Sequence, residues 1–272
     1  EIYFDKKAQV VKWQKRCLNW KKKFHKEFRT AQNNNKISHF EATNYLSDSL
    51  PENALIVTGS SGLAVEAFYT AFENRKGQRV FHTSALGAMG YGLPAAIGAC
   101  LGVNKTPTFA IESDGSLQLN IQELATITAN KLPILLFIFN NEGYCSIRNT
   151  QTNYFESRFV GTNVDSGLFM PSLKLLAESY GISYSNPKRF NEIENVIKLF
   201  IENERATLVE INLIETDVLF PKVSAIPQPD GSIISMPLED MTPLLPLSEL
   251  KKEMLTPISE ESISVRKKSI NR

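Results

Sequence analysis

The sequence predicts an α/β fold: a doubly wound parallel sheet with helices on both faces, an N-terminal linker helix and an irregular C-terminal tail. Three observations predict it. Short apolar runs alternate with segments of helical spacing from about residue 54 to residue 213, which is the order of a parallel sheet with crossover helices. The run Ile134-Leu135-Leu136-Phe137-Ile138-Phe139 is apolar at every position, as expected of a strand covered on both faces, where alternation is lost. Two of the runs end in small and polar residues, Glu112-Ser113-Asp114-Gly115-Ser116 and Asn140-Asn141-Glu142-Gly143-Tyr144, at the carboxyl edge where open parallel sheets bind ligands.

The elements follow in order. Residues 1–45 are lysine-rich, with Trp13, Trp20, Phe24 and Phe28 at roughly helical steps before the polar Asn33-Asn34-Asn35. A basic, aromatic face is also the pattern of a nucleic-acid patch, but an amphipathic linker helix packed on its own protein accounts for it. The expected main domain spans 46–220: a strand over 54–57 and a helix over 64–72, a strand over 108–111 and a helix over 117–129, a strand over 134–139, helices near 171–180 and 190–202, and a closing strand over 206–213. Residues 221–272 carry scattered prolines and end in serines and lysines, which predicts a tail draped over the domain without regular structure.

Composition narrows the partners. Thirty basic residues against 29 acidic ones give a formal charge of +1, so no whole-chain field favours nucleic acid or an anionic membrane. No apolar run approaches the roughly 20 residues that span a bilayer. Cys17, Cys100 and Cys145 form no CxxC pair, and His25, His39 and His82 offer no ligand spacing, so a reduced, cytoplasmic setting is expected. The chain begins Glu1-Ile2-Tyr3 without an initiator Met, which fits a piece of a longer polypeptide.

The chemistry gathers at the strand ends. Ser116 falls at the expected N-cap of the helix after the 108–111 strand, and a phosphate docks at such a terminus. If the strands over 108–111 and 134–139 are neighbours in a right-handed βαβ unit, Asp114 and Asn141 face one metal. Mg²⁺ prefers octahedral oxygen and rarely sits in an all-protein cage, so a carboxylate, an amide oxygen, a backbone carbonyl, water and ligand phosphate oxygens make a sensible set. The loop Thr58-Gly59-Ser60-Ser61-Gly62 offers hydroxyls and backbone donors for a distal phosphate. The glycines at 87, 90 and 92 are in the wrong order for a dinucleotide-binding GxGxxG, and no strand is expected immediately before them. Taken singly, Asp-Gly is a common turn and Asn-Asn a common helix start.

Together, Asp-Gly followed 27 positions later by the Asn pair, after one helix and one strand, resembles the fingerprint of thiamine diphosphate enzymes in their C-terminal diphosphate-binding domain. The segment Gly87-Ala88-Met89-Gly90-Tyr91-Gly92-Leu93-Pro94-Ala95-Ala96 is similar to that of the acetolactate synthase group. The resemblance implies thiamine diphosphate and Mg²⁺ as cofactors, with Asp114, Asn141 and the carbonyl of Gly143 as metal ligands. It places Ser60 and Ser61 at the distal phosphate, the Gly87 carbonyl against the pyrimidine amino group and the Met89 side chain between the two rings. Gly115, Ser116, Gly143 and Tyr144 complete the expected cofactor contacts. Ser113 departs from the pattern, standing where the family has the first glycine of a Gly-Asp-Gly triplet, and serine tolerates fewer backbone conformations.

The implied reaction is decarboxylation of a 2-oxo acid, pyruvate being the expected one, with the cofactor as electron sink, followed by transfer of the acyl-anion equivalent to a carbonyl acceptor. Some decarboxylases of the family carry a proton-donating Glu at the position of Ile147; an apolar side chain cannot deliver a proton, which favours carboligation. The family's activating Glu lies in a separate pyrimidine-binding domain, usually on a neighbouring subunit, and nothing here matches it. No catalytic residue is therefore expected in this chain. The expected partners are that domain, in the same polypeptide or a separate subunit, and further copies in a homo-oligomer, with FAD as a candidate in a middle domain outside this chain. The alternatives are half of a split-subunit 2-oxo acid decarboxylase and a non-catalytic remnant that only binds metal and diphosphate. Arg148 is read as either a substrate-carboxylate contact or a surface ion-pair partner.

Overall fold

A computed structural model describes residues 6–24, 36–60, 62–83, 85–227 and 232–270. Ser61, Phe28 and Asn33-Asn34-Asn35 lie outside the described residues. The chain opens with α1 (Lys6–Phe24) and α2 (His39–Ser49), then β1 (Leu55–Thr58), α3 (Leu63–Ala71), β2 (Arg79–Phe81) and α4 (Gly92–Gly102). It continues through β3 (Thr108–Ser113), α5 (Asp114–Leu117), a 3-10 turn (Gln118–Glu123), α6 (Leu124–Asn130), β4 (Ile134–Asn140) and α7 (Cys145–Tyr154). Next come α8 (Leu173–Ser179), β5 (Ser183–Ser185), α9 (Phe190–Asn203) and β6 (Thr207–Asn212).

Six strands form one parallel sheet in the order β2-β1-β3-β4-β6-β5. The apolar run of β4 is explained by its two faces. Leu135, Phe137 and Phe139 pack with Leu46 of α2, Phe68 of α3 and Ile193, Ile197 and Phe200 of α9. Ile134, Leu136 and Ile138 pack with Leu93 and Ile97 of α4, Leu124 and Ile127 of α6 and Leu173 of α8. Every second residue serves one layer, so none is left to be polar. Each fully buried side chain of this kind contributes about 1.5–3 kcal/mol.

Four expectations need correcting. The helix expected over 117–129 is broken: α5 has four residues, and Asn120 leaves helical geometry (φ −135°, ψ 30°) inside the 3-10 turn before α6 begins. The expected element order lacks β2, a three-residue edge strand that opens on Arg79 and carries no apolar run; it ends at Phe81, six residues before Gly87, so no strand stands immediately before the glycine segment. The expected division at residue 45 falls inside α2, whose Ala42 and Leu46 join the main core. The tail is not irregular throughout. It contains an antiparallel pair, β7 (Ala225–Pro227) and β8 (Ile233–Ser235), and the helices α10 (Leu247–Glu253) and α11 (Glu260–Ile270). Arg266 of α11 donates to the buried Asp240 carboxylate and to the Leu245 carbonyl (2.6 Å). The amino-terminal helix meets this tail: Trp20 Nε1 donates to Glu253 Oε2 (2.7 Å), and Arg16 donates to the Glu253 carbonyl (2.8 Å).

Candidate functional site

Parallel register brings the strand ends together. Thr58 lies opposite Ile111, and Ser113 opposite Phe139, so the loops after β1, β3 and β4 leave the sheet at one edge. The chain runs outward from β1 to β2 on one side and through β3 to β4 on the other, which makes the β1/β3 crevice the topological switch point where such sheets bind ligands.

Asp114 sits at the start of α5 and is 2% exposed. Its Oδ2 accepts the Gly143 backbone N–H at 2.8 Å, which joins the β3 and β4 loops directly. Burial pushes its carboxyl up to about 6, against the pull of the Gly143, Gly115 and Asn141 backbone N–H groups. Asn141, 3% exposed, turns its Nδ2 to His39 Nε2 at 2.9 Å. Gly143 has φ +119°, and a Cβ there would lie 2.5 Å from the Thr162 carbonyl oxygen, so only glycine fits. Tyr144 donates its backbone N–H to that same carbonyl (3.1 Å). Its ring lies against Gly115, where a Cβ would come within 2.6 Å of Tyr144 Cε1.

Six buried side-chain oxygens have no hydrogen-bond partner among the described residues, and four are here: Ser113 Oγ, Asp114 Oδ1, Asn141 Oδ1 and Ser146 Oγ. Each such orphan costs about 1–3 kcal/mol. Their concentration at one strand edge marks a place built for a polar ligand, and a donor set of carboxylate, amide and hydroxyl oxygens fits a hard cation with phosphate. Among the described residues no three His, Cys, Asp or Glu side chains cluster as a metal centre, so a cation here depends on amide and main-chain oxygen.

A cavity of about 220 Å³ opens at this edge. Of the expected residues, Gly87, Met89, Gly115 and Ser116 line it from one side of the sequence, and Asn141, Gly143 and Tyr144 from the other; Ser113, Ser146 and Ile147 line it as well. The buried Asp114 does not line it, and neither does Ser60. Its buried hydroxyl donates to the Ala88 carbonyl (2.5 Å), tying the loop after β1 to the glycine segment. Ser116 is not an N-cap as expected; Ser113 takes that position, and Ser116 Oγ accepts the Gly90 N–H at 2.8 Å. Ser113 itself has φ −93° and ψ 153°, extended backbone that serine adopts without strain, so the departure from glycine leaves the loop geometry intact.

Arg148 is neither a surface ion-pair partner nor free to meet a substrate. It is buried and donates to four main-chain carbonyls: Asn141 (2.6 Å), Thr162 (2.7 Å), Glu215 (3.0 Å) and Glu142 (3.2 Å). Burial pushes the Cys145 thiol up to about 11, and its S–H donates to the Glu215 carbonyl (3.2 Å), which leaves no nucleophile there. Sequence reasoning missed Glu112, whose buried carboxylate accepts the Gly92 and Ser113 N–H groups (2.9 and 3.0 Å) and which burial pushes above the usual carboxylate range. It also missed Ser146 and His39. Burial pushes the His39 imidazole below its usual value against the opposing pull of Asp217. No local motif could have revealed it, since its contacts lie 102 and 178 residues away in sequence.

Comparison with known proteins accords with this geometry. A family model described as "Thiamine pyrophosphate enzyme, C-terminal TPP binding domain" matches residues 58–211, more than half of the chain. The acetolactate synthase large subunit of Buchnera aphidicola subsp. Schlechtendalia chinensis is 31% identical over 220 residues, covering 78% of this chain and 36% of that protein. That of Porphyra purpurea is 27% identical over 227 residues, covering 79% and 35%. The chain thus spans about a third of the length of these curated relatives. Among solved structures, the thiamine diphosphate-dependent 4-hydroxybenzoylformate decarboxylase of Rhodococcus jostii RHA1 shares the fold, with a TM-score of 0.59 and 22% identity over 68% of this chain and 34% of that one. With the strand-end geometry, these matches show that the chain belongs to the thiamine pyrophosphate enzymes, as a C-terminal, acetolactate synthase-like TPP-binding domain.

Proposed function

We propose that this domain holds thiamine diphosphate through Mg²⁺, ligated by Asp114, Asn141 and the Gly143 carbonyl, within an enzyme that decarboxylates a pyruvate-like 2-oxo acid and transfers the acyl fragment to a carbonyl acceptor. The observation that carries the reading is the pair of buried, unpartnered oxygens, Asp114 Oδ1 and Asn141 Oδ1, at adjacent strand ends. When bound, the cofactor supplies an electron sink for decarboxylation and the cation offsets the charge of its diphosphate.

The chain's own residues bind and orient. The hydroxyls of Ser113 and Ser146, buried and unpartnered, are donors for phosphate oxygens, with the Ser60-Ser61 loop toward the distal phosphate. Gly87 and Met89 line the same cavity and are assigned to the pyrimidine and to the wedge between the rings, a place that needs a bulky, adaptable side chain. Ile147 lines it too and is 46% exposed; it excludes water and delivers no proton, which supports transfer to a carbonyl over release of a free aldehyde. The reading assigns the cofactor-activating carboxylate to a pyrimidine-binding partner.

Asp114→Ala tests the metal assignment. By calorimetry it should abolish Mg²⁺-dependent binding of thiamine diphosphate with an unchanged circular dichroism spectrum; Mg²⁺-dependent binding that survived would overturn the assignment. The reaction is tested with Ile147→Glu in an assembly containing the partner. Given pyruvate, this variant should release more acetaldehyde, and an unchanged product ratio would count against carboligation.

A further inference from the structure

A side-chain amide has two ends of nearly one shape, and only one of them ligates a cation. What meets the far end decides which way it points. At Asn141 that far end meets the imidazole of His39, with Nδ2 at 2.9 Å from Nε2. The other ring nitrogen, Nδ1, lies 2.9 Å from Asp217 Oδ2, and the His39 backbone N–H donates to the same oxygen at 2.7 Å. An amide nitrogen can only donate and a carboxylate can only accept, so the ring proton sits on Nδ1 and Nε2 presents a lone pair to Nδ2. An amide turned the other way would set its oxygen against that lone pair and its NH₂ toward the cation.

We infer that His39 is a positioning residue for the cation site: held by Asp217, it accepts the Asn141 Nδ2–H and so turns the amide oxygen to the metal. The inference rests on the metal reading given under Proposed function. The ring is fixed on every side the relay uses. It is fully buried, begins α2 beside the Ser38 cap, and meets Phe139 edge-on at 6.4 Å between centroids. Asp217 is fixed in turn, its carbonyl accepting Asn149 Nδ2 (2.9 Å) from α7. His39 and Asp217 both lie outside the 58–211 segment matched by the family model, so this chain supplies the support for its Asn ligand from flanking segments. Outer partners of this kind change metal affinity by about 10–100-fold when removed.

The experiment is a calorimetric titration of the full chain with thiamine diphosphate at a series of Mg²⁺ concentrations, comparing wild type, His39→Phe, His39→Gln, Asn141→Asp and the double variant His39→Phe/Asn141→Asp. His39→Phe should weaken the apparent Mg²⁺ affinity about 10–100-fold, and His39→Gln, whose side-chain oxygen can accept from Asn141, should restore most of it. A carboxylate presents oxygen whichever way it turns, so the double variant should stay within about twofold of Asn141→Asp alone. A merely structural histidine would lower affinity equally in both backgrounds, and that outcome, or wild-type affinity in His39→Phe, overturns the inference. Should His39→Phe not fold, Asp217→Ala reads the same relay: it frees the ring to take the other tautomer and should weaken Mg²⁺ affinity, and unchanged affinity overturns the inference. Absence of Mg²⁺-dependent binding in wild type is a different failure: it removes the metal reading itself and this inference with it.

Discussion

Asp114 and Asn141 are 2% and 3% exposed, and Arg148 gathers four main-chain carbonyls around their loop, whereas Leu86 beside the glycine segment is 90% exposed and Met89 40%. The first region is held by hydrogen bonds within the chain, down to the glycine at 143 that no other residue replaces. The second offers apolar surface to whatever docks on it. The difference teaches that one end of the cavity is preorganised by this chain, whereas the end proposed for the rings presents exposed apolar side chains. Preorganisation of a ligand set keeps the cost of ordering out of the binding step.

That contrast can be broken at the ordered end first. Arg148→Met keeps about the length of the side chain and removes a donor from four carbonyls, of which Thr162 keeps the Tyr144 N–H and Glu215 the Cys145 thiol, so it should cost about 3 kcal/mol in urea unfolding; a loss under 1 kcal/mol would mean that the loop holds itself. A second test uses pH. With no cation present, Asp114 keeps its proton in the folded chain up to about 6 but releases it near 3.8 when unfolded. Between these values the unfolded state holds fewer protons, so stability falls as pH rises, by about 1.4 kcal/mol per unit and about 3 kcal/mol in all. The fall is read as the difference between wild type and Asp114→Asn, and a difference that grows in the opposite sense would contradict the buried carboxylate. The smallest effect belongs to the open end. Met89→Ala should weaken thiamine diphosphate binding about fivefold without altering its Mg²⁺ dependence, and a shift in that dependence would show that the two ends are not separable.

Much of the architecture was legible because burial on both faces leaves a plain mark: the apolar runs of β3 and β4 locate the central strands, and their polar ends locate Asp114 and Asn141. The spacing of those ends carries the family resemblance, and with it the glycine segment. What the sequence hid follows from two causes. Short edge elements leave too little pattern, as in β2 with its Arg79, and a helix that looked continuous over 117–129 is interrupted at Asn120, which no apolar period reports. Long-range polar contacts leave none. His39 and Asp217 are 178 positions apart, and Arg148 bonds carbonyls, which every residue possesses. The orphaned oxygen of Ser146 likewise becomes visible only when neighbours are known.

The central claim, that this chain's own residues hold a cation–diphosphate pair, is tested most directly by titrating the chain with thiamine diphosphate by calorimetry, once with Mg²⁺ and once with EDTA. Binding with Mg²⁺ that disappears in EDTA is the predicted result. Equal binding in EDTA, or no binding with Mg²⁺ even when a pyrimidine-binding partner is supplied, would contradict it.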